Sequence, residues 1–276
     1  MKKKTLIITF ASIFAFLVLC GIFVKRLYSR KPMEFIFDGA YNVPLVKYQS
    51  SHWYYEEVPA GHKTYLFLPE KYRTDKDNEE AKLPLIVIFN GSDETGASLH
   101  KYGSIFIDRD FQKEIYPEGA AVLVVLSRIN YYTDPHSVSL LIQNICIKNK
   151  CIDRTNIIGY GFSQGAKFVV ELACTEPRLF RGIISGSGFY QMSKKELLTL
   201  LPVQFCFALS ENDKGIFEQG LHTAKMCSKW CKNSRYKQYE KRWHFWIMLN
   251  DRTGKVKKDG SEESVMEWLK GVVNQK

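Results

Sequence analysis

Gly161-Phe162-Ser163-Gln164-Gly165 is the segment of this chain with the clearest capacity for chemistry. It fits G-x-S-x-G, the turn that lifts a nucleophilic serine out between a strand and a helix. A serine hydroxyl is a weak nucleophile at neutral pH, so it needs a base within reach and donors for the negative charge it creates. The flanks suit that task. Asn156-Ile157-Ile158-Gly159-Tyr160 ahead is a short apolar run of strand character. Ala166, Val169, Val170, Ala173 and Cys174 behind recur at i, i+3, i+4, i+7 and i+8, one face of a helix. The glycines permit a sharp turn with space around the serine, and the helix N-terminus aims amide donors at developing negative charge. The plainer alternative is a Gly-rich turn with an incidental serine.

The frame that must position this turn is also written in apolar runs. Tyr65-Leu66-Phe67-Leu68-Pro69 reads as an opening strand. Pro84 to Phe89, Ala120 to Leu126, Gly182 to Gly186 and Gln204 to Leu209 read as strands buried on both faces. Val138 to Ile147, Phe217 to Lys232 and Ser264 to Val273 suit helices, and Asp75 to Lys82 a charged loop. Strands alternating with helices predict an α/β fold with a mainly parallel central sheet flanked by helices. No internal repeat or low-complexity stretch interrupts it.

The N-terminus has a different character. Lys2, Lys3 and Lys4 precede Thr5 to Val24, 20 residues without a charge, and basic residues resume at Lys25, Arg26, Arg30 and Lys31. At ~1.5 Å per residue such a run spans ~30 Å, the hydrocarbon thickness of a bilayer. It is longer than a usual signal core and shows no small-x-small cleavage site. The expectation is therefore a transmembrane signal anchor over residues 5–24, with secretion after cleavage as the alternative. Lipidation at Cys20 is a third option, disfavoured by Leu19 before it and by the apolar run beyond it. The expected organisation is 1–31 anchor and basic flanks, 32–61 an aromatic-rich lead-in with Trp53, Tyr54 and Tyr55, and 62–276 the folded domain. Of the net charge of +10, seven basic residues within 1–31 account for +7, leaving +3 for the rest. A remainder so close to balance offers no electrostatic case for nucleic-acid binding.

Cys146, Cys151, Cys174, Cys206, Cys227 and Cys231 do not form a zinc pattern. Cys174 and Cys206 sit in apolar runs as small core residues. Cys146 with Cys151, and Cys227 with Cys231, are near enough in sequence to pair, or to remain thiols.

From about Tyr65 onward the chain resembles the α/β-hydrolase family. Within it the chain looks most like secreted esterases of the polyhydroxybutyrate depolymerase and feruloyl esterase type, and its serine motif is similar to that of small carboxylesterases. Leu83 to Gly91, Ile152 to Ile157 leading into the turn, and Leu172-Ala173-Cys174 with Pro177 and Phe180 carry the resemblance. It implies a Ser-His-Asp triad in the chain order serine, acid, histidine. Ser163 is then the nucleophile. Asp213, in the loop after the Gln204 to Leu209 strand, fits the acid, with Glu211 in the same loop as rival. His244, flanked by Trp243, Phe245 and Trp246, fits the base, and His222 falls inside a helix. His52, His62, His100 and His136 precede the serine and read as structural or exposed. The oxyanion donors would be the backbone N–H of Gln164 and one from Gly91 or Ser92. Asn90 departs from the family, which usually has His before that glycine.

The expected activity is hydrolysis of carboxylic esters through a covalent acyl-enzyme, on a small-molecule or polymer-linked ester. No metal or organic cofactor is implied, the membrane is met only through residues 5–24, and the domain is expected outside the cytoplasm. A serine peptidase of the same fold and a non-catalytic hydrolase-like binding protein are the alternatives. Tyr131, Tyr132, Trp243 and Trp246 are candidates to line a cleft, or ordinary packing residues.

Overall fold

The computed structural model describes residues 18, 40–41, 45–49, 52–56, 62–69, 71–74, 77–80, 82–91, 109–125, 131–240, 244 and 263–275. The chain divides into two units, 1–33 and 34–276. Of the first, only Val18 is described, in helical conformation. The expected anchor over residues 5–24 otherwise lies outside the described residues. Among the described residues no helix is long and apolar enough to cross a membrane.

The second unit contains β1 (Ala40–Tyr41), β2 (Leu45–Gln49), β3 (His52–Glu56), β4 (His62–Phe67), β5 (Leu83–Phe89), β6 (Ala121–Val125), β7 (Tyr131–Thr133), β8 (Ile152–Phe162), β9 (Gly182–Gly186), β10 (Gln204–Ser210) and β11 (Arg235–Tyr239). Its described helices are α1 (Lys71–Thr74), α2 (Arg109–Ile115), α3 (Pro135–Lys148), α4 (Gln164–Thr175), α5 (Lys194–Thr199), α6 (Ile216–Trp230) and α7 (Val265–Val273). Eight strands form one sheet in the order β1-β4-β6-β5-β8-β9-β10-β11. Every neighbour pair from β6 to β11 is parallel, and only β1 and β4 run antiparallel to their neighbours. This is the mainly parallel sheet flanked by helices that the apolar runs predict. A parallel sheet is covered on both faces, and each residue of β5, β6, β9 and β10 is accordingly buried.

A second sheet, in the order β3-β2-β7, is built from the lead-in and from Tyr131–Thr133. It brings Val46 opposite both Tyr55 and Tyr132 in register. By its pairing the lead-in contributes strands to both sheets. Ala40–Tyr41 joins the main sheet against β4, and Leu45–Gln49 pairs with the segment that precedes α3.

Helix ends follow local chemistry. α3 opens with Asp134 accepting from the Ser137 N–H and with Pro135 in its first turn. α5 and α7 both start with a capping box, Ser193 with Glu196 and Ser264 with Glu267. α4 departs from the one-sided helix expected. Ala166, Val169, Val170 and Ala173 are buried as the spacing requires, but so are Gln164, Gly165, Lys167, Phe168 and Leu172. The cause is position: α4 packs on β5, β8 and β9 while α3 and α5 lie alongside. Gly159 on β8 lets it approach closely, since a Cβ there would meet Val169 and Phe180.

Candidate active site

β8 ends at Phe162 and α4 begins at Gln164, so a single residue, Ser163, makes the turn between them. That brevity has a conformational cost. Ser163 has φ 55° and ψ −116°, a backbone state that L-residues avoid and that costs on the order of 1–3 kcal/mol. The surroundings hold it there. The Ser163 N–H donates to the carbonyl of Gly186 at 2.8 Å, and the Lys167 N–H donates to the Ser163 carbonyl at 3.1 Å. The glycines on either side are required for space. A Cβ on Gly161 would overlap the carbonyl of Gly165, and a Cβ on Gly165 would overlap the carbonyls of Phe89 and Asn90 at the end of β5.

Three side chains then meet. Ser163 Oγ lies 2.9 Å from His244 Nε2. His244 Nδ1 is hydrogen-bonded to Asp213 Oδ2. The neutral tautomer that satisfies both contacts carries its proton on Nδ1, donates it to Asp213, and accepts the hydroxyl of Ser163 at Nε2. Asp213 is fixed by its own loop, its N–H donating to Ser210 O at 3.1 Å and its carbonyl accepting from Phe217 N at 2.8 Å as α6 starts. The Asp213 side chain is 10% exposed and that of His244 35%, which shields the carboxylate while leaving the imidazole open to a reactant. The ring of Phe162 packs against His244 with centroids 5.2 Å apart.

The structure thus brings together Ser163, His244 and Asp213. Glu211, the rival acid, spends its backbone N–H on Tyr239 O at 3.1 Å, and it is Asp213 that meets the imidazole. His222 is exposed on α6, and His136 is exposed with Nδ1 2.9 Å from Glu176 Oε1. Gln164 is the first residue of α4, where a helix leaves its N–H without an intrahelical acceptor. Gly91 is buried at the end of β5, and Ser92 lies outside the described residues, as do Trp243 and Trp246. Asn90 is fully buried and donates from Nδ2 to Gly91 O at 2.7 Å. That bond ties the Asn90 side chain, in place of the usual His, to the carbonyl of Gly91, the last described residue before the rest of the expected donor loop. Two contributors were not read from the sequence. Phe162 stands inside the motif but was given no contact. Gly186 acts through a carbonyl, which no residue type announces. All six domain cysteines are thiols, and burial pushes the Cys146 thiol up to about 11. Among the described residues no group of His, Cys, Asp and Glu is arranged to hold a metal ion.

Residues 135–245, which contain all three side chains, match the family described as Phospholipase/Carboxylesterase. Taken with the sheet order and the strand-to-helix serine, this decides the fold. The chain has the α/β-hydrolase fold. Solved structures agree on the fold. The chain is similar to a thermostable esterase at 18% identity and TM-score 0.56, over 75% of its own length and 60% of that chain. It is similar to a ferulic acid esterase at 10% identity and TM-score 0.53, over 77% and 97%. It is also similar to a ferulic acid esterase from Anaeromyces mucronatus, solved in complex with ferulic acid, at 13% identity and TM-score 0.54, over 79% and 88%. The chain therefore spans three fifths of the length of the first of these. No curated protein matches it in sequence.

Proposed function

We propose that this α/β-hydrolase cleaves carboxylic esters by a serine mechanism, with Ser163 as nucleophile, His244 as general base and acid, and Asp213 as the group that orients and charges the imidazole. The observation that carries the reading is the continuous line from Ser163 Oγ to His244 Nε2 at 2.9 Å and from His244 Nδ1 to Asp213. His244 takes the hydroxyl proton as Oγ bonds to the ester carbonyl carbon. The Nδ1–H bond to Asp213 stabilises the resulting imidazolium. The C=O electron pair moves onto oxygen, and the backbone N–H of Gln164, with one from Gly91 or Ser92, receives that charge. Each such donor is worth ~2.7–4 kcal/mol where one has been removed. Collapse expels the alcohol, which leaves with the proton from His244, and the acyl group stays on Ser163. A water, deprotonated by His244, then releases the acid.

The first test is hydrolysis of a small aryl ester, with an active-site fluorophosphonate label read by mass spectrometry. Wild type should turn over and carry the label on Ser163. Ser163→Ala should lose both, with kcat down about 10⁴–10⁶-fold. A wild type that neither turns over nor labels would support the non-catalytic alternative. Preference for peptide amides over esters would support the peptidase.

The anchor belongs to the same proposal. The 20 uncharged residues from Thr5 to Val24 support retention in a membrane with residues 62–276 outside the cytoplasm. Fractionation with a protease-accessibility assay tests both parts. Recovery in the soluble fraction with an intact N-terminus would remove the anchor, and protection from external protease would reverse the orientation.

A further inference from the structure

Exposed large apolar side chains are few among the described residues, and Leu198, Leu201 and Trp230 line one groove. A cluster of this kind on a soluble face marks a contact site. The groove runs between α5 and α6. Lys194, Leu197, Leu198 and Leu201 stand at i, i+3, i+4 and i+7 along α5 and the turn after it. His222, Lys225, Met226, Lys229 and Trp230 repeat that spacing on α6, so each segment turns a single stripe toward the groove. Its volume is about 730 Å³, within the ~300–1,000 Å³ of small-molecule sites.

The lining has two kinds of surface. Leu197, Leu198, Leu201, Met226 and Trp230 supply its apolar surface. Lys194, Lys225 and Lys229 stand over it with no carboxylate in the lining. Glu196, the acid of α5, is held instead by the Ser193 N–H at 2.6 Å and the Tyr190 hydroxyl at 2.5 Å. Lysine stems can cover apolar surface while keeping the ammonium in water, and Lys229 Nζ lies 5.0 Å from the centroid of the Trp230 ring. An apolar trough with a cationic rim complements a molecule with the opposite arrangement.

We propose that the α5–α6 groove binds a single-chain amphiphilic anion, a free long-chain carboxylate, with its alkyl chain on the leucine surface and its head at Lys225 and Lys229. Concavity selects one chain: a bilayer is met by a protruding apolar surface, whereas a trough between two helices accepts a tail lengthwise. None of the lining residues belongs to the Ser163 site, so the proposal stands apart from the ester-hydrolase reading.

A photoreactive diazirine fatty acid, added below its micellar concentration to the full-length protein, tests it by peptide mapping of the crosslinks. Label should concentrate on residues 194–201 and 222–230. Lys225→Gln/Lys229→Gln should reduce it about fivefold or more while leaving aryl-ester hydrolysis unchanged. The diazirine alcohol of equal chain length should label that site several-fold less. Label spread evenly over the surface, equal labelling by the neutral alcohol, or indifference to the double substitution would each overturn the proposal. So would labelling of these peptides only by diazirine phospholipid in anionic vesicles, which would make the groove a membrane contact.

Discussion

Around Ser163 the constraint is main chain packed into the place of a Cβ, while His244 is held by side-chain contacts and Asp213 by the backbone hydrogen bonds of a loop with room around it. Gly161 and Gly165 are glycines because main-chain atoms of α4 and β5 occupy the place of a Cβ. In the acid loop, Gly215 has open space around its missing Cβ and is required only for φ +84° at the start of α6. The nucleophile is therefore placed by packing that admits no adjustment. The base is placed by two hydrogen bonds and the Phe162 ring, on an imidazole that remains accessible. A rigid serine and a less enclosed imidazole suit the proposed cycle, in which Ser163 carries the acyl group while His244 handles protons in both directions.

The two halves should break differently. Gly165→Ala forces a methyl group into the Phe89 and Asn90 carbonyls, and we expect loss of both activity and the cooperative melting transition, since neither side of the overlap is a flexible side chain. A folded, active Gly165→Ala protein would show that the elbow yields more than the comparison allows. Asp213→Asn keeps the shape of the acid but favours the wrong imidazole tautomer, so kcat should fall about 10⁴-fold with the melting temperature little changed. Glu211→Gln should stay within about threefold, and the reverse ranking would transfer the role to Glu211. Gly215→Ala strains only a positive φ, at about 1 kcal/mol, which for a chain of this size lowers the melting temperature by ~2–4 °C and leaves kcat close to wild type.

The smallest effect concerns pH. Burial pushes the Glu171 carboxyl on α4 from 4.5 up to about 8, and its Oε2 is buried without a hydrogen-bond partner. The folded state thus holds this proton more tightly than the unfolded state, so stability is highest below about 4.5 and declines as pH rises toward about 8. Lys167, one turn before it and held below its ordinary value by burial, works with the opposite sign toward higher pH. Glu171→Gln should therefore flatten the fall in melting temperature between pH 5 and 8 while aryl-ester kinetics stay within about twofold. An unchanged slope would remove the assignment, and a large loss of kcat would mean that the elbow is not insulated from charge on its own helix.

The sheet was legible because strands covered on both faces leave unbroken apolar runs, as at Ile86 to Phe89 and Phe205 to Leu209. The edges were not. β11 reads Arg-Tyr-Lys-Gln-Tyr, and its central Lys237 is fully buried, so its polar sequence hides a strand at the rim. α5 was also missed, although Ser193 and Glu196 spell a capping box that could have located it. β7 is three residues long and pairs with a lead-in far ahead of it in sequence, a contact no local pattern can announce. For the site, Ser163 was legible in its motif, whereas the choice of Asp213 over Glu211 depends on where a loop points, which two carboxylates two residues apart do not encode. Phe162 and Gly186 act through a ring contact and a carbonyl, and neither has a compositional signature.

The order β8-β9-β10 places one strand between the one that delivers Ser163 and the one that delivers Asp213. Neighbouring strands lie ~4.8 Å apart, so the two chain exits are separated by ~10 Å. An imidazole, reached by a hydroxyl on one side and a carboxylate on the other, is a bridge of about that span. The sheet therefore serves as a ruler: β9 is the spacer whose width sets how far the serine and the carboxylate stand apart. Its own end ties the two sides, Gly186 accepting from Ser163 and the neighbouring Ser187 N–H donating to Ala208 of β10, each at 2.8 Å.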